Sequence, residues 1–332
     1  MNAIVAMHAP DGFLEPWVAV ATGIIAAIVL AFALRASERE LGDRQVPLAG
    51  LAAAFIFAAQ MFNFPVAAGT TGHLLGGCLA AILLGPWMGM LVVTVVVAVQ
   101  ALIFADGGLT ALGYNVLNMA VVTAFGGWAL FHLLRRVLPR NATGVIAASA
   151  LAGALTVPIS AVAFSIEWLF GATTNVSFAD VFAAMVSVHM LIGIGEGLIT
   201  GLAVSAVLAS RPDLVTGARD LTPAELGERS PVGAKPFSIG ALAAVVFVAG
   251  IVSQFAFDHP DGLEKVADDK GFGEVAKNHS FANSIFADYA TQGIANERVS
   301  LAVAGVSGAA ITLVVGYGIA IAGRRARPAA HV

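Results

Sequence analysis

The chain has 332 residues, of which 58% are hydrophobic and only 11% carry a charged side chain. Soluble domains average about 25% charged residues, so this composition excludes an ordinary soluble domain and indicates a membrane protein. The single cysteine, Cys78, excludes a disulfide framework and a cysteine-rich metal site. The net charge of −4 says little, since membrane proteins sort charge by loop. No nucleic-acid partner is predicted.

Apolar runs along the chain predict an all-α polytopic membrane protein. Nine candidate spans follow in order: 16–35, 47–63, 73–86, 87–104, 114–134, 144–166, 181–209, 237–257 and 299–322. The third is short for a bilayer of about 30 Å and rich in glycine, so we expect it to enter the bilayer only partly or to begin below its surface. Pro86 separates it from the fourth span.

Three units follow from this pattern. Residues 1–209 form a seven-span bundle, and residues 210–236, with four prolines and mixed charges, form a cytoplasmic linker. Residues 237–332 form a two-span pair that encloses a polar outer loop, 258–298.

Lysine and arginine predict the orientation, because they accumulate on the cytoplasmic side. With the N-terminus outside, thirteen of the 17 basic residues are cytoplasmic: Arg35, Arg39, Arg44, Arg135, Arg136, Arg140, Arg211, Arg219, Arg229, Lys235, Arg324, Arg325 and Arg327. The other four lie in the loop 258–298. We therefore predict a plasma-membrane protein with its C-terminus in the cytoplasm, which places His8, His73 and His259 together on the outer side.

The dipeptide Met7-His8 offers an unusual set of nitrogen donors. If Met7 is the N-terminal residue, its α-amine, the amide nitrogen of His8 and the imidazole of His8 can chelate one metal ion. Three nitrogens in a plane suit Ni(II) or Cu(II), and His73, among small residues, is the natural fourth ligand. Residues 1–6 add no charge, cap or clear span, so we expect translation to start at Met7.

The turn after His8 is repeated near the end of the chain, as HAPDGFLE at 8–15 and HPDGLE at 259–264. Pro-Asp-Gly predicts a tight turn that aims His8 into the bundle, with Asp11 bonded to the amides of that turn or supporting a metal ligand. The second copy, led by His259, is expected to help deliver or gate the metal, unless the likeness arose by chance.

Four separated motifs resemble the CbiM/NikM family, the substrate-binding membrane components of energy-coupling-factor cobalt and nickel transporters. They are MHxPDGFL at 7–14, GHLLGG with LLGPW at 72–87, NVLNM at 115–119 and HMLIGIGE at 189–196. The resemblance covers residues 7–209, and residues 237–322 resemble the small CbiN/NikN accessory component.

The resemblance implies a ligand set and partners. The metal would be held by Met7, His8 and His73, and the six residues before Met7 are a departure from the family pattern. ATP hydrolysis would come from two ATPase subunits joined by a membrane coupling subunit. In agreement, the chain has no phosphate-binding loop of its own. Nickel and cobalt both remain possible substrates.

Several polar residues within or beside the spans are candidates for supporting or gating roles. His189 and Glu196 share one face of a predicted helix, two turns apart. Asn115 and Asn118 are expected either to orient His73 or the Thr70–Thr71 loop, or simply to bond between helices. Asp106 and Glu167, at span ends, are expected to be solvated.

Two other function classes stay open at this stage. A secondary transporter coupled to ions or protons would use His189 and Glu196 as relays. An intramembrane metalloenzyme would use His73, His189 and Glu196 as ligands, but the chain lacks the His-Glu-x-x-His pair of such enzymes.

Overall fold

A computed structural model describes residues 7–40, 45–67, 69–227 and 231–325. Its helices are α1 (Pro16–Glu40), α2 (Gln45–Gln60), α3 (Gly77–Leu84), α4 (Pro86–Val99), α5 (Leu112–Val116), α6 (Thr123–Arg135), α7 (Ala142–Gly171), α8 (Phe178–Ser210), α9 (Ala234–Gly250), α10 (Gly262–Lys270) and α11 (Glu297–Arg325). Two short strands, β1 (Phe64–Pro65) and β2 (Thr71–Gly72), form an antiparallel hairpin between α2 and α3.

The all-α polytopic fold predicted from composition is confirmed. Within the described residues, seven helical segments are long and apolar enough to cross a membrane: Pro16–Ser37, Pro86–Phe104, Leu112–Arg135, Ala142–Gly171, Phe178–Ser210, Ala234–Phe255 and Glu297–Gly323. The other two predicted spans contain the shorter helices α2 and α3. The eight residues of α3 rise only about 12 Å, so the predicted short third span crosses the bilayer only partly as helix.

The stretch that leads into α3 is extended because other groups take up its backbone amides. The carboxylate of Glu196, on α8, accepts hydrogen bonds from the amides of Leu75 (2.6 Å) and Gly76 (2.9 Å). Gly76 has φ 83°, and a Cβ there would lie 2.7 Å from Ile56 Cγ2. Residues 73–76 are therefore held away from helical geometry, and this places His73 at the mouth of the bundle.

The centre of the bundle is made by α2, α3 and α4. Every residue of α3 is buried, and so are all but two residues of α2. The helices α1 and α9 instead expose most of their apolar side chains, as expected for surfaces in contact with lipid.

Glycines bring the helices of the bundle into close contact. On α8, a Cβ at Gly193 or Gly197 would lie within 2.6 Å of a carbonyl oxygen of α7. On α2, a Cβ at Gly50 would lie 2.8 Å from the Leu313 oxygen of α11. The C-terminal helix α11 therefore packs directly on the buried α2, and the C-terminal pair is part of the same packed body.

Candidate metal site

The segment that begins at Met7 runs between the helices rather than over them. Met7 is 7% exposed and His8 is 2% exposed. Asn115 Nδ2 donates to the carbonyl oxygen of Ala9 at 3.0 Å, and the Tyr114 hydroxyl donates to that of Pro10 at 3.0 Å. The segment is thus anchored by side chains of α5, which hold His8 in the interior.

Asp11 anchors the same segment through a different set of amides from the one expected. Its carboxylate accepts from the amides of Leu109 (3.2 Å), Thr110 (2.7 Å) and Ala111 (3.1 Å), and from the Thr110 hydroxyl (2.6 Å). These are the free amides that precede α5. Asp11 therefore holds the turn that leads into α5, about one hundred residues away, and it does not close its own turn.

His8 and His73 lie side by side. Their ring centroids are 5.7 Å apart in an edge-to-face arrangement. His73 Nε2 lies 2.9 Å from the carbonyl oxygen of Met7, so this nitrogen faces the N-terminal segment. Neither ring nitrogen of His8 has a hydrogen-bond partner in the described part of the chain.

A buried imidazole without hydrogen bonds is costly unless a ligand supplies the missing partner. Burial lowers the pKa of His8, against the raising effect of the Asp106 carboxylate. A lowered pKa favours the neutral imidazole, which is the form that binds metal. His8 is therefore buried and favours the neutral form that binds metal, whereas burial of His73 is outweighed by the hydrogen bond and charge of Asp261, which raise the pKa of His73 to about 9.

Asp106 and Glu167 are buried, and the expectation that both are solvated was wrong. Asp106 is 2% exposed, and its Oδ1 lies 3.8 Å from His8 Nδ1. Its Oδ2 accepts from the Tyr289 hydroxyl at 2.6 Å. Ala105, with φ 56°, ends the preceding π-helical turn and directs the chain inward. Glu167 accepts from Asn118 Nδ2 at 2.7 Å.

The loop 258–298 covers the two histidines. Thr71 donates from its amide to the Pro260 oxygen (2.9 Å) and from its hydroxyl to the His259 oxygen (2.9 Å). On the other flank, the Lys277 amide donates to the Asp11 oxygen at 2.8 Å. His279 Nε2 lies 3.1 Å from the Gly107 oxygen. The loop is therefore bonded on both sides of the site.

The second Pro-Asp-Gly turn places Asp261 at the site. Asp261 is 5% exposed, its Oδ1 accepts from the Glu264 amide at 2.8 Å, and its Oδ2 lies 3.6 Å from His73 Nε2. The imidazole of His259 is exposed and bonds to the carbonyl oxygen of Asp258. The carboxylate of this motif, rather than its histidine, faces the metal site.

Other candidates from the sequence have separate roles. His189 Nδ1 lies 2.7 Å from the Met185 oxygen, and the ring packs against the backbone of Gly262. Glu196 is used by the amides of residues 75 and 76, so neither of its oxygens reaches His189. Asn115 bonds to Ala9 and Asn118 bonds to Glu167. Neither side chain orients His73, so that one of the two expectations was wrong. Thr70 is buried beside Thr71 in the hairpin.

Across the described residues, no group of three or more histidine, cysteine, aspartate and glutamate side chains is arranged to hold a metal ion. The set predicted from the sequence does not require such a group. Two of its four donors, the α-amine and the amide of His8, belong to the main chain.

The helices define a multi-pass membrane protein that encloses a pair of neighbouring histidines. The chain belongs to the CbiM family: the family model described as a cobalt uptake substrate-specific transmembrane region matches residues 8–214. A PDGLE domain model matches residues 235–325. The resemblance of both parts is thus confirmed, and the protein is a metal-transport component rather than an enzyme.

Relatives agree with this assignment. A protein of Archaeoglobus fulgidus that is named as a fused nickel transport protein is 32% identical over 94% of this chain and 98% of its own. A protein of Haloquadratum walsbyi that is named as a metal transport protein is 41% identical over 63% of this chain and 93% of its own. A crystal structure of a truncated transition metal transporter, 32% identical, covers 60% of this chain and 98% of its own with a TM-score of 0.54.

Proposed function

We propose that this protein binds Ni²⁺ or Co²⁺ on the outer side of the membrane and passes it inward as the substrate-specific component of an ATP-driven energy-coupling-factor importer. The observation that carries the proposal is the contact between two buried imidazoles, His8 and His73, in which neither ring nitrogen of His8 is hydrogen-bonded within the described residues. The nickel and metal transport names of the relatives support the choice of substrate.

The proposed ligands are the α-amine of Met7, the amide and imidazole nitrogens of His8, and the imidazole of His73. This set requires Met7 to be the N-terminal residue of the functional chain. Residues 1–6 lie outside the described part of the structure. The burial of Met7 and its contact with His73 support the set, because the amine would lie within the same enclosure.

The proposed orientation rests on the asymmetry of basic residues. The two histidines and the loop 258–298 meet at one end of the bundle. The opposite end carries an ionic cluster in which Arg135 and Arg140 contact Asp220. Of the basic residues that suggested the orientation, Arg44, Arg229 and Arg327 lie outside the described residues. We also propose the division of the chain into 1–209, 210–236 and 237–332.

The proposed partners are a membrane coupling subunit and two ATPase subunits, since the chain has no phosphate-binding loop. Uptake of radioactive nickel and cobalt by cells is the direct test. Cells that produce the chain with these partners should accumulate metal, and cells with an inactive ATPase subunit should not. A secondary transporter would instead accumulate metal without the partners and would lose it when a protonophore is added.

The site is tested with substitutions in the same assay. H8A and H73A should each abolish uptake. H132Q, in the last turn of α6 and away from the histidine pair, should leave it unchanged. An intact-mass measurement of the purified chain reports the N-terminal residue and the bound metal together. Uptake by H8A and H73A at the level of the unsubstituted chain would refute the proposed site.

A further inference from the structure

An apolar groove runs between α8 and α9, and its volume is about 390 Å³. Buried side chains of α2 and α3, such as Leu48 and Leu79, form its floor, while Ala203 of α8 and Gly240 of α9 belong to its two sides. Among the described residues of its lining, the polar side chain is that of Ser210, whose hydroxyl is bonded to its own helix. This surface offers water few hydrogen bonds and suits an apolar occupant.

The groove lies within one leaflet of the bilayer, at the end of the bundle opposite the histidine pair. Both of its side helices belong to membrane-crossing segments, Phe178–Ser210 and Ala234–Phe255. Along α9 the lining extends from Pro236 to Val245, nine steps that rise about 14 Å. Half of a hydrocarbon core about 30 Å thick is about 15 Å. The groove is therefore about as long as one leaflet is deep.

The volume of the groove distinguishes a lipid chain from a helix. A helix about 10 Å wide occupies about 1,100 Å³ over a length of 14 Å, roughly three times the volume of the groove. A hydrocarbon chain about 4 Å wide, the contact distance between carbon atoms, occupies about 180 Å³ over the same length. The groove therefore accommodates one or two hydrocarbon chains and is too small for a partner helix.

A polar cavity of about 410 Å³ adjoins the groove where α9 begins, since Leu48 and Phe237 line both. Arg211 and Ser238 also line this cavity, and the Arg211 guanidinium lies 5.8 Å from the centre of the Phe237 ring. Asp213 accepts hydrogen bonds from Nε and Nη2 of Arg211, both at 2.7 Å, and so fixes the plane of the guanidinium. A planar guanidinium with five N–H donors matches the oxygens of a phosphate group.

The basic side chains at this mouth favour an anionic group. Lys235, in the first turn of α9, is exposed and follows Ala234 of the cavity lining. Arg211 and Lys235 together carry two positive charges against the one negative charge of Asp213. Basic residues beside a membrane-crossing helix attract anionic lipids. An apolar groove one leaflet long with a basic mouth has the shape and charge of a phospholipid.

We propose that the groove binds a phospholipid, with its hydrocarbon chains between α8 and α9 and its phosphate at Arg211. α9 packs on α2 and α11, and the bound lipid adds a contact between α9 and α8. The lipid therefore joins the C-terminal pair to the bundle at the end away from the metal site. This binding is separate from metal binding and does not depend on it.

Two glycines provide a matched pair of variants. A Cβ at Gly240 would meet no described atom within 4 Å, so the side chain in G240L enters the groove without a clash. Gly318 of α11 is equally open and also lies in a membrane-crossing segment, so G318L is the control. Both substitutions replace glycine by a better helix former. R211Q removes the charge at the mouth, and thermal melting of each variant reports whether it is folded.

The measurement is native mass spectrometry of the full chain titrated with phosphatidylglycerol, or with diacylglycerol that carries the same chains but no phosphate. The unsubstituted chain and G318L should bind one phosphatidylglycerol, at least tenfold more tightly than diacylglycerol. G240L should bind both lipids at least tenfold more weakly, and R211Q should lose the preference for phosphatidylglycerol.

Two results would overturn the proposal. Equal affinities of folded G240L and G318L for phosphatidylglycerol would show that the lipid does not occupy the groove. An unchanged preference for phosphatidylglycerol in R211Q would show that Arg211 does not hold the phosphate. Neither result bears on the histidine pair, so the proposed function is tested separately.

Discussion

Asp11 is expected to be one of the most sensitive positions in the protein, although it binds no metal in this account. Its buried carboxylate accepts four hydrogen bonds, three of them from the backbone amides that precede α5. Loss of a helix cap alone costs about 1–2 kcal/mol. Each buried amide left without an acceptor adds about 1–3 kcal/mol, of which entering water recovers a part.

D11A should therefore lower the free energy of unfolding by about 3 kcal/mol, corresponding to a fall in Tm of roughly 5 °C for a chain of this size. Melting of the detergent-purified protein measures it, with D258A as the exposed control. D11N keeps one acceptor oxygen and should lose about half as much. A fall below 1 °C for D11A would refute the argument that the capping bonds hold the N-terminal segment in place.

Three further substitutions test other contacts of the site. E196Q should weaken nickel binding, because one of the amides of Leu75 and Gly76 would face an NH₂ group; binding equal to that of the unsubstituted chain would contradict this. Y289F removes a hydroxyl bonded to Asp106 and Gln100, so limited proteolysis should cut the outer loop sooner; an unchanged rate would argue against a docked loop. Burial, with the neighbouring Asp261 and Asp268, raises the pKa of Glu264 to about 8, so stability falls as pH rises from about 4.5 to 8. E264Q should remove that loss. At pH 9 its free energy of unfolding should exceed that of the unsubstituted chain by about 1–2 kcal/mol after solvent screening, so it should melt at a higher temperature, and at pH 5 the two should not differ.

Hydropathy predicted the helices well because lipid imposes one strong requirement, an apolar surface on segments that satisfy their own backbone hydrogen bonds. It could not predict which span ends face water. Asp106 and Glu167 lie where spans end, yet the folded loop and the neighbouring helices bury both. From the sequence alone, a charged residue that follows an apolar run is predicted to be exposed to water, because the loop or helix that covers it in the folded protein is not known.

Of the two expectations for Asn115 and Asn118, a role in orienting His73 was wrong, whereas a bond between helices is what Asn118 makes with Glu167. Three residues apart on an α-helix, they would share a face. The hydrogen bonds of the helix instead change to a π-helical pattern over Leu117–Val122, which alters the spacing of side chains around the helix from that point on. Asn115 therefore bonds to Ala9 and Asn118 to Glu167. Nothing in the sequence NVLNM marks the turn.

The neighbouring positions of His8 and His73 could be anticipated, because chelate chemistry assigned a role to the first and the small residues around the second allow close approach. The roles of Asp261 and Tyr289 could not. Their contacts, with His73 and Asp106 respectively, join residues more than 180 positions apart through a loop that has no periodic pattern. Only the tertiary fold brings them to the site.

The repeated Pro-Asp-Gly turn has one structural use in both places. Asp11 and Asp261 each accept backbone amides at the start of a helix. Gly12 and Gly262 each allow an approach that a side chain would block, to the Val275 oxygen and to Ile192 respectively. What differs is the group turned towards the metal site. In the first copy it is the histidine and in the second it is the aspartate, so two similar sequences bring unlike groups, an imidazole and a carboxylate, beside His73.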